Sequence, residues 1–464
     1  MSRRLSVDVL VVGGGPAGST LATRLAQLGH RVALVERERF PRPRLGEALT
    51  PGVLPLLQLT GAHRPVEQAG FPRVQSVIVD WDGRPRERND EEARGLLVDR
   101  GRFDLLLLEN ARAHGVTVLQ PASVAGRRWD GERWRLRVDG ADTADVDASF
   151  LAAAGGRSLV LRGRRIPTGR RTLCLHAYWQ GPRLPRPGVQ ALPDAWCWGV
   201  PLPDATVDLL VFVDPDRLRR DARPAEASYL ELLASSMFAA YLSDARRVSP
   251  VRGADATPFL DAEPVTGNTI RVGDAGLALD PISSSGVQKA VQTALSGAVV
   301  VNTILRRPAA AEAARRFYCD SLEGASTRHR SWAAAQYADA GRPSSFWTSR
   351  AADVDQAPEV PPPLPGPVAD GRLELSHSVV YVELPCLNGD FVELKTAVTH
   401  PRLAEPVAYL GGWELAPLLR RARPGLTTSD LLRAWSSLVP HEAGLAISEW
   451  LGRNGILVAA GRQA

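Results

Sequence analysis

The stretch VDVLVVGGGPAGSTLATRLAQLGHRVALVE, residues 7–36, decides the fold. Its first six residues are short, β-branched and unbroken, which predicts a buried parallel strand. Gly13-Gly14-Gly15-Pro16-Ala17-Gly18 follows, residues 19–28 carry helical spacing, and RVALVE (31–36) reads as a second strand. The unit is strand–turn–helix–strand around a G-x-G-x-x-G, the pattern that cradles a dinucleotide. Gly13 permits the tight turn, Gly15 lets the backbone approach a pyrophosphate, and Gly18 lets helix and strand pack closely. The helix start at Pro16 and Ala17 offers free N–H groups and a positive dipole end to phosphate. Glu36, closing the second strand, is placed to accept hydrogen bonds from a ribose.

Outward from this unit, 464 residues imply two or three domains. The 56 basic residues include two lysines, Lys289 and Lys395, and the net charge of +5 is spread along the chain. A diffuse balance of that size argues against nucleic acid as partner. The four cysteines, Cys174, Cys197, Cys319 and Cys386, form no C-x-x-C pair and fit reduced thiols. The opening residues run straight into a strand and a glycine turn, unlike a signal peptide. No run of 18 apolar residues occurs, so no membrane span is expected, and the reduced thiols make the cytoplasm the expected compartment.

Residues 270–286, IRVGDAGLALDPISSSG, place Gly273-Asp274 after a short apolar strand, then Pro281 and Ser285-Gly286-Val287 at the start of a helix. FPRPRLGEALTP (40–51) holds Arg44, Gly46 and Glu47; VDRGRFDLLLLENARAHGV (98–116) starts with Arg100 before a helix; FLAAAGGRS (150–158) ends a strand in a glycine turn. In that order the four stretches resemble the motifs of FAD-dependent monooxygenases of the p-hydroxybenzoate-hydroxylase-like fold, and most closely their halogenase-like branch. The resemblance covers roughly residues 7–300. It implies FAD as cofactor, Asp274 on the flavin ribityl chain, Ser285 to Val287 near the ring, and Arg100 against the cofactor. Arg44 reads either as an arginine near the flavin and the nicotinamide route or as one surface arginine among many. No second nucleotide fingerprint is visible, so electrons come either from NAD(P)H docking transiently or from a separate flavin reductase.

Residues 70–97 and about 170–260 alternate apolar and polar residues, which predicts antiparallel strands. In the resembled family such a sheet roofs the flavin and holds the substrate. DAWCWGVPLP (194–203) puts Trp196 and Trp198 on one face of a strand, and RTLCLHAYWQG does the same for Cys174, His176 and Tyr178. Trp198 reads equally as pocket wall and as sheet core. His176 is a candidate base for a phenol or indole, against the blander reading of a hydrogen-bonded structural histidine. The halogenases of this family use a lysine, which in their carrier-protein branch sits in a Gly-Phe-x-x-Lys stretch ahead of a Trp-Gly. Here GFPRVQSVIVDWDG (70–83) keeps Gly70, Phe71 and Trp81 but carries Val74 in the lysine position. The neighbouring Arg73 cannot substitute, because a guanidinium stays protonated. The resemblance therefore implies a monooxygenase that hydroxylates an aromatic group through a flavin C4a-hydroperoxide. The alternatives are a halogenase with a displaced lysine and a reductase like the geranylgeranyl reductases.

APEVPPPLPGPVADG is rich in proline and reads as a stiff linker. Beyond it, SVVYVELP and DFVELKTAV flank Asn388-Gly389 and predict a strand pair. Three short helical patterns and a terminal strand resemble a winged-helix module, which in peptide-modifying enzymes recognises a leader segment. The expectation is an α/β protein: a Rossmann-type FAD domain in parts 1–75, 98–170 and 263–340, an inserted antiparallel substrate sheet in 76–97 and 171–262, a linker over 341–370 and a winged-helix-like α+β module over 371–464. The last module is expected either to bind a peptide or protein precursor or simply to cover the pocket or dimerise, and the whole chain best resembles the flavoprotein monooxygenases that hydroxylate a tryptophan in tryptophylquinone cofactor biogenesis.

Overall fold

The computed structural model describes residues 3–42, 47–89, 94–140, 144–158, 161, 163–181, 184–221, 223–352, 364 and 371–461. The chain divides into two units, Met1–Pro308 with Tyr318–Asp355, and Ala309–Phe317 with Gln356–Ala464.

In the first unit, Arg3–Val12 is the central strand of a parallel sheet. Val32–Val35 pairs with it on one side and Ala144–Ala153 on the other. Thr117–Leu119 extends the first side and Thr269–Arg271 the second, both parallel. Val9, Leu10 and Val11 are wholly buried, as expected of a strand covered on both faces. The crossover is the helix Pro16–Gln27, whose face packs against the long helix Gly286–Arg306. This arrangement leaves the carboxyl ends of the strands and the start of both helices facing one crevice, where such sheets bind ligands.

The second sheet is mostly antiparallel. Its central order runs Leu173–Gln180, Thr206–Val213, Ala195–Pro201, Gly188–Leu192, with Val77–Asp80 and then Arg86–Arg88 beyond. Side chains alternate across it. Leu175, Ala177, Trp179, Leu209 and Val211 face the helix Ala225–Ala234, where Tyr229 bonds both the Trp179 indole and the Leu209 carbonyl. The opposite face carries Cys174, Trp196, Leu210 and Phe212. There Trp196 stacks on Phe212 at 3.7 Å, and Trp81 meets Trp347 edge-on at 5.3 Å.

Trp347 corrects one expectation. Within 341–370, the stretch read as linker, Ser345–Ala351 is a helix. Phe346 and Trp347 are buried, and the Trp347 indole donates to the Leu192 carbonyl at 2.9 Å. Two large aromatics have more apolar surface to bury than the surrounding Gly, Pro and Ser could signal. The proline-rich segment itself lies outside the described residues except Leu364.

In the second unit, Val380–Asn388 and Phe391–Thr399 form a hairpin that turns at Gly389, whose φ is +58°. The helices are Leu415–Leu419, Thr428–Trp435 and His441–Arg453. Thr427 and Asp430 form a reciprocal cap at the start of the middle one. Leu373–Leu375 pairs with the terminal strand Leu457–Ala459 over a core of Leu418, Leu431, Trp435 and Leu451. Among the described residues no helix is long and apolar enough to cross a membrane.

Candidate functional site

A cavity of about 710 Å³ runs from the glycine turn to the antiparallel sheet. Its first end is built by the turn. Gly13 sits at φ +110°, and a Cβ there would come within 2.5 Å of the Ala154 carbonyl. A Cβ on Gly18 would lie 1.8 Å from the Gly13 oxygen. Gly15 is different: a Cβ there would point at the Arg42 guanidinium, 3.2 Å away. Its bare backbone keeps open the gap between turn and arginine. The helix that follows has no side-chain cap, so its first N–H groups are free for an anion.

Glu36 is fixed by three donors. Its carboxylate accepts from Gly14 N–H at 2.7 Å, Glu38 N–H at 2.9 Å and Arg42 Nη1 at 3.2 Å. Arg42 also donates to Asp104 at 3.1 Å, and Arg100 Nε donates to Asp104 at 3.0 Å. Two guanidinium groups and two carboxylates thus balance in a buried network whose arginines line the cavity. Paired and hydrogen-bonded charges are the kind a fold tolerates there. Uncapped amides, side-chain-free glycines and a buried arginine fit a pyrophosphate, and Glu36 beside them fits a ribose.

The middle of the cavity is formed by the second motif. Gly273 has φ +61°, and a Cβ there would strike Ala17 at 2.7 Å. Asp274 next to it pairs with Lys289 at 2.6 Å and lies 3.7 Å from Arg157. Burial pushes the Asp274 carboxyl up, but the charges of Lys289 and Arg157 outweigh it and hold it below the usual range. Burial lowers the Lys289 amine, and Asp274 offsets only part of this. Lys289 also donates to the Leu277 carbonyl. Pro281, Gly286 and Val287 line the cavity, while the Ser285 hydroxyl is held 2.7 Å from that of Ser283. Asp280 accepts from Tyr337 at 3.1 Å, and burial pushes its carboxyl up.

The far end is the sheet. Cys174, His176 and Tyr178 from one strand, Trp198 from another, and Leu210 and Phe212 from a third line it together. Trp196 belongs instead to the tryptophan cluster. Behind His176, Nδ1 lies 3.6 Å from Oδ1 of Asp208, which is wholly buried. Burial raises the Asp208 carboxyl, against the opposing effect of His176. An acid whose folded pKa is raised costs stability once pH climbs past its unfolded value, near ~4. Asp208→Asn is therefore expected to melt above the wild type at neutral pH, with the gap closing toward pH ~4. Melting curves across that range check this; a gap that widens on acidification would contradict it.

Gly13, Gly15, Pro16, Ala17, Glu36, Arg100, Asp274, Pro281, Gly286, Val287, His176 and Trp198 line this one cavity, whereas Gly18, Gly273 and Ser285 do not. Arg44 and Gly46 lie outside the described residues. Glu47 pairs with Val98 through its backbone. Val74 is buried at 3% exposure among aromatics. Neither lysine reaches the cavity wall among the described residues: Lys289 is tied to Asp274, and Lys395, in the second unit, donates to Glu414 at 2.8 Å. Sequence reading missed Arg42, Asp104, Arg157 and Asp208. Arg42 and Arg157 sit inside quoted motifs, so their charge within a glycine- and proline-rich run was the available signal. Asp104 stands four residues after Arg100 on one helix, a local signal that was passed over; Asp208 carries none.

Residues 6–173 match the FAD binding domain family. The tryptophan 2-halogenase of Chondromyces crocatus is 32% identical over 369 residues, 74% of this chain and 70% of that protein. The solved peptidyl tryptophan dihydroxylase QhpG, essential for tryptophylquinone cofactor biogenesis, superposes with TM-score 0.75 at 29% identity, covering 97% of this chain and 99% of its own. The flavin-dependent halogenase CmlS shares the fold, with TM-score 0.77 at 22% identity over 100% and 99% of the two chains. With a dinucleotide cradle, a charged motif beside it and an aromatic sheet above, the chain belongs to the superfamily of FAD-dependent monooxygenases and flavin-dependent halogenases, and it is an FAD-dependent oxidoreductase.

Proposed function

We propose that this protein is a monooxygenase that hydroxylates an aromatic ring, with a tryptophan in a peptide or protein precursor as its substrate class. The observation that carries this reading is the make-up of the sheet end of the cavity. It offers Trp198, Tyr178, Phe212 and His176 to a ring, while Val74 and the tied Lys289 leave it without a reacting amine. Bound and reduced, FAD supplies an electrophilic oxygen atom drawn from O2.

The chain's own part is binding, orientation and exclusion of water. Gly13, Gly15, Pro16, Ala17 and Gly18, with Arg42, hold the pyrophosphate; Glu36 takes a ribose. With FAD bound, Arg100, Arg157 and Asp274 would hold its middle portion, and Pro281, Gly286 and Val287 would take the flavin end. Trp198 and Phe212 give the substrate one aromatic wall. His176 accepts a proton from it. Electrons arrive from a flavin reductase or from NAD(P)H. Residues 371–464, read as a winged-helix-like module, hold the precursor.

A second reading is halogenation, favoured by the 32% identity to a tryptophan 2-halogenase. One experiment separates the two. FAD-loaded protein with a flavin reductase, NADH and O2 is given free tryptophan and a tryptophan-bearing peptide, with and without chloride or bromide. The expected product gains one or two oxygen atoms whether or not halide is present. A gain of halogen that follows halide concentration would replace this reading by the second.

A further inference from the structure

Asp208 is wholly buried, and neither of its carboxylate oxygens has a hydrogen-bond partner among the described residues. Leaving such a group unsatisfied is costly. Its side chain does not hold the sheet together, because the ladder between Leu173–Gln180 and Thr206–Val213 is a backbone pairing that runs through Asp208 opposite Tyr178. Its nearest partner is the His176 Nδ1, at 3.6 Å, and that nitrogen is likewise buried with no other partner.

The topology explains the approach. On the antiparallel pair, His176 stands opposite Leu210 and Asp208 opposite Tyr178, so His176 and Asp208 are diagonal neighbours on one face. His176 lines the cavity and Asp208 does not. Going outward from the cavity, the order is ring space, imidazole, buried carboxylate. A carboxylate behind Nδ1 fixes the tautomer with its proton on that nitrogen, which leaves the Nε2 lone pair for the cavity.

Other groups face the same imidazole. Tyr178 meets it edge-on at 6.2 Å, and Cys174 and Trp198 share its wall. Arg252 stands opposite it in register on the strand Arg252–Asp255 and also lines the cavity.

We infer that His176 and Asp208 form a proton-accepting dyad: His176 is the catalytic base for an aromatic N–H or O–H, and Asp208 is its positioning residue. This rests on the cavity being the place of ring oxidation, and it narrows the substrate to rings such as indoles and phenols. As electron density moves from the ring toward the oxidant, the N–H or O–H becomes acidic. Its bond breaks with the electron pair left on the ring system, and the proton bonds to Nε2. The imidazolium then faces the Asp208 carboxylate, and its proton passes to the water that replaces the product.

The test begins with the resting protein and needs no turnover. Full-length protein labelled with 15N-histidine is recorded at alkaline pH by multiple-bond 1H–15N correlation. The chain has 8 histidines, and His176 is assigned by its absence in His176→Gln. The expected wild-type pattern is a protonated Nδ1 and a bare Nε2. In Asp208→Leu that pattern is expected to be lost while the other histidine signals stay in place. A wild-type His176 protonated on Nε2 overturns the dyad whether or not the leucine variant folds, as does an unchanged tautomer in a folded Asp208→Leu. Ring oxidation then tests the base. His176→Gln is expected to slow oxidation of a tryptophan-bearing peptide by ~10²-fold or more, and to matter little for its 1-methyltryptophan analogue, which has no N–H. Equal slowing with both overturns the proton-accepting role. Absence of oxidation in the wild type instead counts against the proposed function and leaves the tautomer result standing.

Discussion

Gly18→Ala is expected to yield a protein that purifies without FAD. The added Cβ would lie 1.8 Å from the Gly13 oxygen and 3.0 Å from the Ala154 Cβ. Neither obstacle can retreat. Gly13 N–H is bonded to Val35 and Ala154 N–H to Val12, each at 2.8 Å, so both are part of the central sheet. The helix must move instead, and its first turn is where the anion-binding amides sit. Overpacking of this kind costs ~1–3 kcal/mol in stability, and the displaced N-terminus loses its aim at the phosphates. The check is the ratio of flavin to protein absorbance after purification, with melting temperature beside it. Gly126→Ala is the control, since a Cβ there meets nothing within 4 Å and Gly126 does not line the cavity. Full flavin content in Gly18→Ala would show that the turn does not carry the cofactor.

That experiment probes the part of the site written most plainly in the sequence. Glycine turns and strand periodicity are local features, so the crevice at Gly13 to Gly18 and the alternation of Cys174, His176 and Tyr178 are legible from spacing, whereas the motif at Gly273 is legible only through the family resemblance. The hairpin at Gly389 is legible from spacing too. What spacing cannot give is which charge neutralises which. Asp104 meets Arg42 across 62 residues and Asp208 meets His176 across 32, and only tertiary packing brings them together. The position also matters where a motif holds two arginines: reading FPRPRLGEALTP for Arg44 passed over Arg42, which reaches Glu36. The helix at Ser345–Ala351 escaped because its two aromatics stand in a run of turn formers, and only the tryptophan cluster they complete explains their burial.

Lys289→Met is the second substitution with a large expected effect, and it bears directly on the chemistry. The Lys289 side chain is 6% exposed and Asp274 36%. Breaking a fully enclosed ion pair costs ~3–5 kcal/mol; with Asp274 partly open to the cavity, ~2 kcal/mol is expected. The pH dependence follows from Asp274, whose folded carboxyl is held below its ordinary value. Such a group adds stability above the unfolded pKa, near ~4, and loses it as pH falls through the folded one. Without Lys289, burial acts against Arg157 and Arg100 only, and the carboxyl rises. The melting gap between wild type and Lys289→Met should therefore be widest at neutral pH and close on acidification below ~4. FAD retention should fall as well, because Asp274 loses the partner that aims it. Lys289→Arg keeps a cation in reach of Asp274, so it is expected to recover part of the stability, the flavin and ring oxidation together. A guanidinium cannot act as a reacting amine. If Lys289→Arg kept its flavin and its fold but lost all product, the lysine would be part of the reaction, and the halogenase reading would take precedence.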